Sequence, residues 1–241
     1  MAITAPASGA GSERPLPSGA GARLAVWALV GLLAQVASMA GWTVAETWQG
    51  PRYSVVSDTI SDLQAATAPH VWFPIACFAA GGIGTFCFAV LGLRPALSGA
   101  GRVASQAPWM LGLSALALGN SFPLIPCSLS DPGCTVHRQL SSPGGLTDAI
   151  VAGVALSVLA FTPAPLWQRL SVLQGWGVAK FALMPARVAC PFLFLLLVVS
   201  SFTGTDQGLA ERALVTSCVL WVGALAVALF LVWRKPRLVA Q

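Results

Sequence analysis

Six stretches of about twenty residues in this chain are nearly free of charge, the length a helix needs to cross a hydrocarbon core of roughly 30 Å. They run from Leu24 to Glu46, Val71 to Leu93, Ala107 to Leu124, Leu146 to Ala164, Met184 to Thr203 and Ala213 to Val232. A backbone in lipid must satisfy its polar groups internally, which leaves helices or a closed barrel, and continuous rather than alternating apolar runs select helices. Composition agrees, because 56% of the 241 residues are apolar and only 9% are charged, far from the balance of a soluble domain. The expected fold is therefore all-α: a polytopic bundle of about six transmembrane helices over residues 23–233, flanked by a disordered tail (1–22) and a short basic tail (234–241).

Proline refines the boundaries. Pro108 and Pro185 read as helix starts, whereas Pro191 lies inside the fifth run, where neighbouring helices must satisfy the freed carbonyl. Gly81, Gly82 and Gly84 fall mid-span and predict close helix packing. A cleaved signal peptide is the competing reading of the first run, since Ser38 and Ala40 form a small-residue cleavage site. The run is too long for an h-region of roughly 7–15 residues, so a span is expected.

Lys and Arg near span ends are retained on the cytoplasmic side. Placing both termini in the cytoplasm puts Arg14, Arg23, Arg94, Arg102, Arg169, Lys180, Arg187, Arg234, Lys235 and Arg237 inside and leaves Arg52, Arg138 and Arg212 in outer loops. The net charge of +5 is then a topology signal with some affinity for anionic lipid headgroups, and no nucleic-acid partner is expected. There is no GxGxxG or phosphate-loop pattern, and no cofactor is expected.

With that orientation the acids segregate. Glu46, Asp58, Asp62, Asp131, Asp148, Asp206 and Glu211 all lie outside with His70 and His137, and only Glu13 lies inside. Short basic inner loops offer acids no other place, so solvated loop carboxylates are the plain alternative to a site. The first outer loop sets Arg52 and Tyr53 ahead of Ser57, Asp58, Thr59, Ile60, Ser61, Asp62 and Leu63. In a short helix Asp58 and Asp62 share one face, an arrangement needing a cation such as Arg52 or Arg138 opposite, or one retained proton. Alternatively Ser57, Asp58 or Thr59 caps an interfacial helix whose Ile60 and Leu63 dip into the bilayer.

The loop after the third run carries Cys127 and Cys134, seven apart and suited to a disulfide on an oxidising side. Together with His137 they match no standard zinc spacing, so no metal site is expected. His137 and Arg138 precede a Ser141–Ser142–Pro143 turn, and Asp148 follows near the start of the fourth run, where a helix N-terminus favours a carboxylate. Asp58, Asp62 and His137 are thus the candidate catalytic groups. Glu46, Arg52, Tyr53, Ser61 and Asp148 are candidates to bind or orient a substrate, all converging at the outer mouth of the bundle. Carboxylates and a His there suit proton transfer or acid–base work on an amphipathic molecule.

Tyr53-Ser54, the stretch Asp58-Thr59-Ile60-Ser61-Asp62-Leu63, and Phe122-Pro123 with His137 resemble the bacterial and archaeal membrane proteins of domain-of-unknown-function family 998. The resemblance covers about residues 24 to 233. It implies a six-helix bundle and a shared site at Asp58, Ser61, Asp62 and His137, and it implies no activity. The cysteine pair is not part of the resemblance.

Three classes of function follow. The first is an enzyme acting on a lipid or isoprenoid at the outer leaflet of the cell membrane, with His137 and Asp62 as base and acid and a hydrophobic small molecule as substrate. In its terpene-cyclase form, a carboxylic acid protonates the substrate and the nine Trp residues shelter the cation, although Trp residues at span ends are equally an aromatic belt. The second, a non-catalytic accessory or sensor protein, would bind a partner through its outer loops. The third, a transporter, is disfavoured because no span carries an ionisable group near its middle, where Gln35 and Ser38 are the most polar residues.

Overall fold

The computed structural model describes residues 20–97, 102–119 and 125–234. Both expected tails fall mostly outside the described residues, as do Phe122 and Pro123. Among the described residues the chain is helical and contains no strand: α1 (Ala20–Glu46), α2 (Trp72–Cys87), α3 (Arg102–Gly119), α4 (Val136–Leu140), α5 (Pro143–Phe161), α6 (Pro163–Ser171), α7 (Gly177–Thr203) and α8 (Gln207–Arg234). A π-helical stretch, Phe88–Leu93, prolongs α2 to Ala96.

Among the described residues five segments are long and apolar enough to cross a membrane: Gly21–Glu46, Trp72–Ala96, Pro143–Ser171, Gly177–Thr203 and Gln207–Trp233. The chain is a multi-pass membrane protein. The third expected span coincides with α3, which has 18 residues, starts earlier than Ala107 and does not reach that measure. Its early residues Arg102 and Gln106 dilute its apolar character. Pro108 and Pro185, expected at helix starts, lie inside α3 and α7, as Pro191 does in α7. Packed neighbours hold such helices together where the proline interrupts the hydrogen-bond ladder. The last span begins at Gln207, six residues before the expected Ala213, and so takes Glu211 and Arg212 out of the loop and into the helix.

The helices close into a ring in which α1 packs on α2 and α8, α2 on α3, α3 on α5, α5 on α7, and α7 on α8. The α5–α7 contact is the sparsest of these. Trp221, Phe88, Leu111, Leu183, Leu214 and Leu225 are fully buried in one core that reaches across the ring. The α2–α3 crossing depends on glycine on both sides, because a Cβ on Gly82 would come within 2.6 Å of the Ala115 carbonyl and 2.8 Å of Gly119 Cα. A second cluster, Trp42, Ala45, Ile60 and Leu63, lies at the end of the ring where α1 stops. Ile60 and Leu63 therefore face the interior of the protein rather than the bilayer, fastening the loop after α1 over that end.

Candidate functional site

The loop between α1 and α2 is organised by its own acids. Asp58 Oδ2 accepts the Ser54 N–H at 2.7 Å, closing one turn. Asp62 lies in a short 3-10 turn, Ser61–Gln64, and its Oδ2 accepts both the N–H and the hydroxyl of Thr59, each at 2.9 Å. Its Oδ1 accepts the Leu129 N–H at 3.0 Å and Gln139 Nε2 at 2.9 Å. Asp62 thus ties the first loop to the loop before α4 and to α4 itself, and all its acceptor directions are occupied by structural donors. The two aspartates do not share a helix face as expected, because the chain turns between them.

The cation facing this loop is neither Arg52 nor Arg138. Both are exposed, and among the described residues the Arg138 guanidinium donates to the Gly133 carbonyl alone, at 3.5 Å. It is Arg212 of α8, buried to 5% exposure, whose Nε pairs with Glu46 Oε1 at 2.5 Å. Arg212 Nη1 donates to the carbonyls of Asp58 at 2.7 Å, Val55 at 3.0 Å and Gly208 at 2.9 Å, while Nη2 donates to the Tyr53 hydroxyl. Burial pushes the Asp58 carboxyl above its ordinary 3.8; the Ser54 N–H opposes the rise, Asp62 adds to it, and Arg212 opposes it. Burial likewise raises the Tyr53 phenol, against the pull of Arg212.

Cys127 and Cys134 form a disulfide. Such a small loop closure contributes on the order of 2–3 kcal/mol in the chain-entropy picture. Gln139 Nε2 also donates to the Cys127 carbonyl at 2.8 Å, and Asp131 accepts from Ser128 N–H at 3.0 Å and from the Thr67 hydroxyl. His137 is exposed on α4, its Nδ1 2.8 Å from the Ser141 hydroxyl, and it does not join the carboxylates.

Below the loop lies a cavity of about 130 Å³ inside the ring, lined by Gln35, Gln64, Thr85, Asp148, Glu211 and Cys218 among mostly apolar residues of α1, α2, α3, α5 and α8. A second cavity of about 410 Å³ runs between α5 and α7, past Gly145, Ala149, Gly153, Phe194, Val198 and Phe202. Both are lined by Ser61, Asp148, Ala152, Leu156 and Glu211, so the two meet at a pair of acids. Glu211 is 8% exposed; its Oε2 accepts the Ile60 N–H at 2.8 Å, and its other oxygen has no donor among the described residues. Asp148 makes no hydrogen bond among the described residues and is half-buried.

The expected convergence thus divides in three. Glu46, Tyr53 and Asp58 gather around Arg212, Asp62 binds the loops together, and Ser61 and Asp148 reach the cavities with Glu211. Sequence reasoning missed Glu211, Arg212, Gln64 and Gln139. The available signal for the first two was their place at the threshold of the last apolar run, where one more helical turn and a half brings them inside.

The family model described as a protein of unknown function (DUF998) matches residues 32–228, from within α1 to within α8. The chain belongs to the DUF998 family. No curated protein and no solved structure matches it. The DUF998 match takes in the loop acids, the Arg212 cluster and both cavities, so the whole candidate site lies within the family domain.

Proposed function

We propose that this DUF998 protein takes an amphipathic small molecule of the lipid or isoprenoid class from the bilayer, through the gap between α5 and α7, into the cavity within the ring. One observation carries the reading: Asp148 and Glu211 stand where an apolar, membrane-facing cleft meets an apolar internal cavity. A chain is solvated by such walls and a polar head is met by the acids. Ionisable groups at that depth are costly and are commonly kept for function.

Sidedness follows from charge. Arg94, Arg169, Lys180 and Arg187 lie toward the end of the ring opposite Glu46, and retention of basic residues inside supports a reading with both termini in the cytoplasm and the cavity mouth at the outer face of the cell membrane. A disulfide at the Glu46 end suits an oxidising compartment. Acid–base chemistry on the bound molecule is then the work of Glu211 and Asp148, with Ser61 beside them, rather than of Asp58, Asp62 and His137. The cyclase variant draws no support from the cavities, whose lining includes Phe78, Phe194 and Phe202 but no Trp.

Native mass spectrometry and lipid extraction of the purified protein, wild type beside Ala152→Trp, test the reading. A defined hydrophobic molecule should accompany the wild type and be lost from the variant, whose indole fills the junction of the two cavities. Only bulk lipid, identical in both, would remove the reading in favour of an accessory protein acting through its loops.

A further inference from the structure

The charge of the bound head can be read from the groups that meet it. Among the described residues neither cavity is lined by any Lys, Arg or His, and the two ionisable acids that line them are Asp148 and Glu211. Gln64 lines the inner cavity at 9% exposure, and its buried Oε1 has no hydrogen-bond partner among the described residues, an acceptor left open. Donors near the junction are mostly committed: the Ile60 N–H to Glu211, the Thr59 N–H and hydroxyl to Asp62, and Gln139 Nε2 to Asp62 and the Cys127 carbonyl. Arg212, next in sequence to Glu211, is directed onto Glu46, Tyr53 and the carbonyls of Val55, Asp58 and Gly208. The junction therefore presents acceptors and two acidic groups.

An anionic head placed there would meet two acidic groups in a poorly solvated setting, with no basic side chain lining either cavity among the described residues to receive it. A protonated amine would meet two carboxylates and an open amide oxygen, and charge-assisted hydrogen bonds are the strong ones. A bare metal ion is a poorer fit, because the described residues contain no group of three or more His, Cys, Asp or Glu able to hold one. Depth suits a chain: along α8 the inner cavity is lined from Glu211 to Val222, a rise of about 16 Å at roughly 1.5 Å per residue.

Resting on the cavity reading above, we propose that the ligand is a single-chain amphiphile with a cationic, hydrogen-bond-donating head, a long-chain amine, and that the site rejects phosphate- and carboxylate-headed lipids. The head sits between Asp148 and Glu211 within reach of Gln64, and the chain follows α8 into the ring.

The test uses the full-length protein in nanodiscs and three probes of equal chain length: dodecylamine, dodecanoate and dodecyl phosphate. Binding is read by native mass spectrometry and by ligand-induced thermal stabilisation. Dodecylamine should bind and the two anions should not. Glu211→Gln and Asp148→Asn should each weaken the amine by about tenfold or more. Glu211→Gln retains an acceptor for the Ile60 N–H, and ligand-free melting of each variant separates lost binding from lost folding. Binding of dodecyl phosphate as tight as that of dodecylamine overturns the head-group assignment and leaves the cavity reading standing. Amine binding that survives both acid variants and is lost in Ala152→Trp does the same. No binding by any probe, with no specific molecule accompanying the wild type, overturns the cavity reading itself.

Discussion

Arg212 Nε lies 2.5 Å from Glu46 Oε1, joining the second turn of α8 to the last residue of α1 at the end of the ring where the Leu209 N–H also donates to the Val56 carbonyl at 3.0 Å. The guanidinium is buried and the Glu46 side chain is 17% exposed, so removing one partner leaves the other charge poorly solvated. Breaking such a pair costs roughly 3–5 kcal/mol. Arg212→Met should therefore lower the melting temperature in detergent by on the order of 10 °C. The double variant with Glu46→Gln should recover part of that loss, because no uncompensated carboxylate remains. A single variant that melts with the wild type would show that the pair does not hold this end of the ring.

Asp62 and His137 are both candidate catalytic groups in the sequence, and the structure separates them. Asp62 accepts four hydrogen bonds from three segments, and an amide nitrogen in place of one oxygen would face donors. Asp62→Asn should destabilise the protein by on the order of 3 kcal/mol. His137, exposed and hydrogen-bonded to Ser141 just past α4, should tolerate Ala within about 0.5 kcal/mol. Thermal unfolding of the two variants side by side decides it. A stable Asp62→Asn protein would return that carboxylate to the list of functional groups.

The contrast marks where sequence reasoning works in a protein of this kind. The spans were readable because lipid imposes a length and an apolarity that few other structures meet, and α1, α2, α5, α7 and α8 fall where the apolar runs predicted. The roles of the acids were not readable, because an Asp that caps a turn and an Asp that faces a ligand have the same local spacing. What divides Asp62 from Asp148 is the long-range arrival of Leu129 and Gln139 at one and an open cleft at the other. Glu211 and Arg212 were misplaced by a boundary error of six residues, enough to turn an outer loop into the wall of the cavity.

Asp58 sets a pH dependence of unusual sign. Its carboxyl is raised above 3.8 by burial, so the folded state holds this proton more tightly than the unfolded chain does. Stability from this group is therefore present below the ordinary value and lost as pH rises from about 4 through the raised value. Asp58→Asn keeps an oxygen for the Ser54 N–H and has no proton to lose. Melting curves from pH 4 to pH 7 should show a smaller decline for Asp58→Asn than for the wild type. Parallel curves would mean that the carboxyl titrates alike in both states.

Gly208 explains how the loop reaches Arg212. A Cβ at this position would collide with the Asp58 carbonyl and come within 2.8 Å of both the Val55 carbonyl and Arg212 Nη1, so the loop backbone lies directly on α8 only because no side chain intervenes. Neither the loop, held by Ile60 and Leu63 in the second core cluster, nor the helix has room to retreat. Gly208→Ala should cost about 1–3 kcal/mol through this overlap. It should also loosen the loop, making the bonds around the exposed Val55 and Val56 more susceptible to limited proteolysis. Gly153→Ala is the matched control, since nothing lies within 4 Å of its added methyl in the cleft beside α5. There the substitution should be neutral or stabilising by about 0.5–1 kcal/mol, through helix propensity alone. Equal behaviour of the two alanine variants would mean that the loop does not depend on close contact with α8 at Gly208.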